Sequence, residues 1–157
     1  MDKPKVVAVV GTNASGKSAL GVRLAKTFDG EIISADSRQV FRGLDLGSGK
    51  ITPEEMQGVP HYLIDVREPG EVFSLAAVQK LSYEKIDEIH ARGHLPMIVG
   101  GTGLYVDSVL DGYLLSDKEP DLAYRVELEK LTTPMLYAKL VSLVPDVQVE
   151  RNNRNRV

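Results

Sequence analysis

The chain has 157 residues, 43% of them hydrophobic and 26% charged, enough to bury the core of one soluble domain. The formal net charge of −3 argues against indiscriminate nucleic-acid binding, which feeds on a strong positive field. There is no cysteine, which excludes a disulfide framework and a thiolate zinc site.

No apolar run approaches the ~20 residues of a membrane span, and the segment Met1-Asp2-Lys3-Pro4-Lys5 has no signal-peptide core. A cytoplasmic location, no membrane partner and a monomer are expected. Val6–Val10 is a continuous apolar run rich in β-branched residues, the pattern of a strand covered on both faces. It leads into Gly11-Thr12-Asn13-Ala14-Ser15-Gly16-Lys17-Ser18, which matches the P-loop pattern G-x-x-x-x-G-K-[ST]. Leu20, Leu24 and Phe28 then mark one face of a helix that Asp29-Gly30 closes. In such a loop backbone N–H groups and the helix N-terminus face phosphate oxygens. Lys17 adds a full charge, and the Ser18 hydroxyl can ligate a phosphate-bound Mg²⁺.

Glu31–Ala35 reads as a second strand ending at Asp36-Ser37. Asp36 fits a general base or a water-mediated Mg²⁺ ligand, and equally a turn cap. Residues 42–60, rich in glycine and proline, read as a long loop. His61–Asp65 is a third predicted strand. Ser74 caps a helix bearing Leu75, Val78, Leu81, Ile86 and Ile89, which ends near Arg92-Gly93. Pro96–Val99 is a fourth strand, and Gly100-Gly101-Thr102-Gly103 turns into another helix. The alternation implies an α/β fold, a parallel sheet with helices on both faces. The P-loop, Asp36-Ser37, Asp65 and Gly100-Gly101-Thr102 all follow strands, so one crevice can collect them.

Character changes after about residue 113, where 121–131 and 134–144 read as helices; Thr133-Pro134 starts the second and Pro145 ends it. Arg38, Arg42 and Lys50 cluster early and Arg151, Arg154 and Arg156 late, which reads as solvated surface or a frayed tail. His61, His90 and His94 lack metal-ligand spacing and read as structural or surface residues.

Four segments in order resemble the tRNA dimethylallyltransferases, also called tRNA isopentenyltransferases: the P-loop, Asp36-Ser37-Arg38-Gln39-Val40-Phe41-Arg42-Gly43-Leu44-Asp45-Leu46-Gly47, Val59-Pro60-His61-Tyr62-Leu63-Ile64-Asp65, and Val99-Gly100-Gly101-Thr102-Gly103-Leu104-Tyr105. The resemblance is dense from residue 5 to about 112 and weaker to Asn155-Arg156-Val157. It implies a P-loop NTPase-like catalytic core over 1–112 and part of a helical tRNA-binding region over 113–157. It also implies transfer of a dimethylallyl group from dimethylallyl diphosphate to N6 of the adenosine beside the tRNA anticodon, with Mg²⁺ assisting. Residues 11–18 would then hold an allylic diphosphate rather than ATP, with Lys17 stabilising the leaving group. The resemblance further places Asp36 at the adenine amine as base and Thr102 near the reacting centre. It places Ser37, Arg38, Gln39, Arg125, Asn155 and Arg156, with Asp36 and Thr102, among tRNA contacts. Asn13 and Ser18 stand where the family usually has threonine, and Gly49 where it has alanine. Family members run to about twice this length, so a fragment or a reduced form is expected. A P-loop nucleoside or metabolite kinase, and a remnant binding phosphate or RNA without turnover, are the alternatives.

Overall fold

A computed structural model of the protein describes residues 4–115 and 121–154. The chain divides into two compact units, residues 1–116 and 117–157. In the first unit the elements run β1 (Val7–Val10), α1 (Lys17–Phe28), β2 (Gly30–Ser34), α2 (Pro53–Met56), β3 (His61–Tyr62), α3 (Leu75–Ala91), β4 (Leu95–Gly100) and α4 (Gly103–Leu110). The four strands form one parallel sheet in the order β1-β4-β2-β3.

The period of two along the strands divides the core. Ile32, Met97 and Val99 join Val9, Val22 and Ala25 on the α1 face. Ile33 and Ile98 point the other way, to Val78, Ile86 and Ile89 of α3 and Val106 and Val109 of α4. Both faces are covered, as the alternating pattern predicts. Gly21 lets α1 come close: a Cβ there would stand 2.9 Å from Val99 Cγ2.

Several local expectations need correction. Val6–Val10 does not form a strand covered on both faces. β1 lies at the edge of the sheet among the described residues, and Val10 is 57% exposed. The third strand stops after Tyr62 because Leu63 and Asp65 take left-handed conformations, with φ of 60° and 54°. Asp29 closes α1 as expected, in a left-handed conformation with φ 54°. Gly30 instead begins β2, where a Cβ would meet Met97 Sδ at 2.9 Å. The loop at 42–60 contains the short helix α2, held by a reciprocal capping box between Thr52 and Glu55 with Pro53 in its first turn. Ser74 caps α3 as expected, its Oγ accepting from Ala77 N at 3.2 Å.

At the end of the sheet away from the P-loop, buried Glu31 accepts from Arg92 Nη2 at 2.7 Å and Tyr62 Oη at 2.6 Å. Burial would raise the Glu31 carboxyl, but the bonds from Arg92 and Tyr62 outweigh it and hold the pKa below 4.5. Burial lowers the His61 imidazole below 6.5 against the opposing pull of the Val59 carbonyl.

In the second unit, α5 (Leu122–Glu129) is capped by Asp121, whose Oδ1 accepts from Tyr124 N at 2.9 Å. α6 (Thr133–Leu143) starts one residue earlier than expected, with Thr132 as cap and Pro134 in the first turn. Arg154 donates to the carbonyls of Leu131 and Glu129 at 2.8 and 2.9 Å, and Arg151 lies over the Tyr137 ring. These two arginines are therefore not a frayed tail. No helix among the described residues is long and apolar enough to cross a membrane.

Two outcomes follow for stability. Ile98, 2% exposed, loses about 2–5 kcal/mol on substitution by alanine, whereas Val10→Ala stays within about 0.5 kcal/mol, both read from urea unfolding. Equal effects would contradict the edge position of β1. As pH falls below 6.5, the unfolded chain protonates His61 before the folded chain does, and below 4.5 the same holds for Glu31. The urea midpoint therefore falls with acidification in two steps, and His61→Gln removes the upper one.

Candidate active site

The strand order decides what meets at the carboxyl ends of the strands. β4 lies between β1 and β2, so its Gly100-Gly101-Thr102 turn separates the P-loop from Asp36. Space there is minimal. A Cβ on Gly100 would stand 2.2 Å from the Ala35 carbonyl oxygen, and one on Gly101 would stand 3.0 Å from Asn13 Oδ1 and 3.6 Å from Lys17 Nζ. The result is a cleft of about 700 Å³ lined by residues 13–19, Asp36 to Gln39, Gly47 to Gly49, Glu55 and Gly100 to Thr102.

On one side the P-loop wraps into α1 through left-handed conformations at Ala14 and Gly16, φ 58° and 82°. The first turn of α1 carries no acidic side chain to compete with an anion. Lys17 Nζ donates to the Thr12 carbonyl across the loop. The ammonium therefore lies at the floor of the cleft.

On the other side Asp36 has a divided role. Its Oδ1 accepts from the backbone N–H of Arg38 at 2.8 Å and of Gln39 at 3.3 Å, which closes the turn after β2. Thr102 is the N-cap residue of α4, yet its hydroxyl does not cap that helix. Its Oγ1 accepts from Ser37 N at 3.0 Å, while Thr102 N donates to the Ala35 carbonyl at 3.0 Å. The two loops are thereby tied together. Tyr105 lies in the first turn of α4. Burial, and then the negative charge of Asp36, push its phenol above 10.0, so it stays neutral near pH 7.

No group of three or more His, Cys, Asp or Glu side chains among the described residues is placed to hold a metal. The donors fit a cation carried mainly by phosphate oxygens, with the Ser18 hydroxyl at the rim as a protein ligand, the usual mode for Mg²⁺.

A family model described as IPP transferase matches residues 39–157. The chain belongs to the IPP transferase family. The matched span begins after the P-loop, but individual relatives align through it. The chain is 48% identical to a tRNA dimethylallyltransferase of Exiguobacterium sp., covering 100% of this chain and 52% of that protein. It is 49% identical to one of Bacillus pumilus, over 99% and 51%. The full-length tRNA isopentenylpyrophosphate transferase of Bacillus halodurans superposes with a TM-score of 0.72 at 48% identity, over 98% of this chain and 53% of that one. A eukaryotic dimethylallyltransferase acting on tRNA superposes with a TM-score of 0.85 at 28% identity, over 98% and 40%. The chain spans about half the length of the curated relatives it matches.

Within this IPP transferase cleft the expected residues do not all converge. Asn13 to Ser18, Asp36 to Gln39 and Thr102 line it; Gly11 and Thr12 sit behind the loop and contribute carbonyls. Gln39 is 9% exposed, and its Nε2 donates to the Gly49 carbonyl at 3.3 Å, which braces the cleft wall from within. Asp65 is absent from the crevice, contrary to expectation. The left-handed turn after β3 sends its carboxylate to Lys50. In the early basic cluster Arg38 and Arg42 are exposed as expected, and only Lys50 is not. The Lys50 side chain is 7% exposed, and Arg42 is bonded to Glu68 and to the Asp65 carbonyl. Burial lowers the Lys50 pKa, but bonds to Asp45 and Asp65 outweigh it and leave the ammonium above 10.5, permanently charged at pH 7. Arg125 belongs to α5 in the second unit, beside Glu129 at 3.8 Å. Asn155 and Arg156 lie outside the described residues.

Sequence reasoning passed over Gly47 to Gly49, Glu55 and the pairing of Lys50. The Thr52-x-x-Glu55 spacing is a helix-start signal that would have located Glu55. A second concavity, of about 640 Å³, lies within the second unit around Tyr137 and Arg151 and contains no motif residue.

The glycine turn supplies a direct test. Gly101→Ala weakens binding of inorganic diphosphate by about 5- to 100-fold, the equivalent of ~1–3 kcal/mol of overpacking. Gly103→Ala, where nothing lies within 4 Å, leaves it unchanged. Calorimetric titration reads both, and equal affinities would show that the anion does not sit against Gly101.

Proposed function

We propose that this chain forms the catalytic core of a tRNA dimethylallyltransferase, which moves a dimethylallyl group from dimethylallyl diphosphate to N6 of the adenosine adjacent to the anticodon. The observation that carries the reading is the opposition across one cleft of an anion cradle, residues 13–18, and a carboxylate, Asp36. Both line the same cleft of about 700 Å³.

The diphosphate lies on the P-loop amides, and Lys17 leaves the Thr12 carbonyl to meet it. Bond breaking at the allylic C1–O bond sends its electron pair to the diphosphate, where Lys17 and the N-terminus of α1 stabilise the added charge. Bound Mg²⁺, with Ser18 among its ligands, would supply further charge neutralisation to the same oxygens. The N6 lone pair forms the new bond to C1, and the N6 proton passes to Asp36. Because Oδ1 is committed to the Arg38 and Gln39 amides, Oδ2 is the oxygen that receives it. An exocyclic amine is a weak nucleophile, so a carboxylate held still by its own turn contributes about 10²–10⁴-fold. Thr102, held by Ser37 N, keeps a hydroxyl proton to donate into the cleft. The adenosine leaves its stack to reach this position. Ser37 and Arg38 at the cleft, with Arg125, Asn155 and Arg156, are proposed tRNA contacts. A monomer is proposed, and the substrates suit the cytoplasm.

The test is incubation with dimethylallyl diphosphate, Mg²⁺ and an anticodon stem-loop, with mass spectrometry of the RNA. The dimethylallyl mass appears on adenosine. Asp36→Asn lowers the rate by about 10²–10⁴-fold while the donor still binds, whereas Lys17→Met weakens donor binding by about 10–100-fold. At about 100 times Kd the donor stabilises the fold by ~2.7 kcal/mol in a thermal shift. Transfer of the γ-phosphate of ATP to a small acceptor, with no RNA product, would sink the proposal in favour of a kinase.

A further inference from the structure

Residues 36–50 leave the sheet after β2, run outward and return along the cleft. Their first part is well anchored. Asp65 N donates to the Gln39 carbonyl at 3.1 Å, Arg67 N to Val40 at 2.9 Å and Arg42 N to Arg67 at 2.9 Å. Their last part, residues 43–49, supplies Gly47, Ser48 and Gly49 to the cleft wall. Apolar burial does not hold that part. Leu44 is 45% exposed and Leu46 fully so, and a Cβ on Gly43, Gly47 or Gly49 would meet nothing within 4 Å.

Two side chains from outside reach this segment: Gln39, whose Nε2 donates to the Gly49 carbonyl at 3.3 Å, and one ammonium that makes three bonds. Lys50 Nζ donates to the Phe41 carbonyl at 2.8 Å, to Asp45 Oδ1 at 2.7 Å and to Asp65 Oδ1. These three oxygens belong to the anchored start of the segment, to the middle of the returning part and to the turn after β3. All three protons of the group are thereby used. The lysine side chain is 7% exposed, while its partners Asp45 and Asp65 are 68% and 45% exposed, so the ammonium is covered but the carboxylates still meet water. Lys50 bonds to no residue of the P-loop.

We infer that Lys50 is a positioning residue, whose buried ammonium pins residues 43–49 as the acceptor-side wall of the cleft and leaves the diphosphate cradle untouched. The term acceptor-side rests on the prenyl-transfer reading; the pinning does not. Loss of the cation leaves Asp45 and Asp65 with no counter-charge between them, and no side chain of residues 43–49 is buried to hold the returning part in its place.

The experiment compares Lys50→Met with the parent chain by hydrogen exchange, by titration with inorganic diphosphate and Mg²⁺, and by stem-loop prenylation. Amides of residues 43–49 exchange about tenfold faster or more in the variant, while those of α1 and β4 keep their protection. The diphosphate Kd stays within about twofold, as for a site with no shared partner. The KM for the stem-loop rises about tenfold or more, with a smaller change in kcat. Should Lys50→Met fail to fold, Asp45→Ala replaces it: Asp45 is 68% exposed, and its loss raises exchange over the same seven residues. Unchanged exchange at 43–49, or an equal rise throughout the sheet, overturns the inference. Transfer of the γ-phosphate of ATP by the parent chain to a small acceptor, with the exchange contrast intact, overturns the prenyl-transfer reading and upholds Lys50 as the pin.

Discussion

The closest constraint in this molecule is the crossing of the turn after β4 with the end of β2. Ala35 N donates to the Val99 carbonyl at 2.9 Å, and Thr102 N donates back to the Ala35 carbonyl at 3.0 Å. The backbone of Gly100 passes between these bonds, so close that no side chain fits. Everything at the cleft depends on that approach. It brings Asp36 to one side of the Gly-Gly-Thr turn and the P-loop to the other. It also puts the Thr102 hydroxyl under Ser37 N rather than at the N-terminus of its own helix.

The cleft so formed is electrostatically divided. Its floor is made of N–H groups, a helix N-terminus free of acids, and Lys17. Its opposite wall has a carboxylate oriented by two amides. An anion leaving toward the floor and a proton leaving toward the wall are both favoured by fixed charges that need no reorganisation. Membership of the IPP transferase family and the likeness to tRNA-modifying prenyltransferases agree with this polarity.

Parts of this arrangement were legible from residue order alone. The P-loop, the run of α3 from its Ser74 cap and the parallel α/β class follow from motif, periodicity and alternation, all of which are properties of near neighbours. Short elements were less legible. His61–Asp65 has the composition of a five-residue strand, but left-handed backbone at Leu63 and Asp65 ends it after two. Val6–Val10 has the composition of an interior strand and lies at an edge, because apolar content does not say how many neighbours a strand will have. Lys50 looked like one of three solvated cations, since its two aspartates stand 5 and 15 residues away and only folding brings them together.

The sequence by itself determined the local machinery: a loop with the P-loop pattern, an aspartate that ends a strand, a glycine turn and the helices that follow them. Those depend on backbone conformation and caps within a few residues. Tertiary structure decided that β4 enters between β1 and β2, that Asp36 faces the P-loop while Asp65 turns away, and that a buried ammonium holds the wall between 43 and 49. These are long-range choices, set by which strand edges pair and which charges are desolvated together, and no window along the chain contains them.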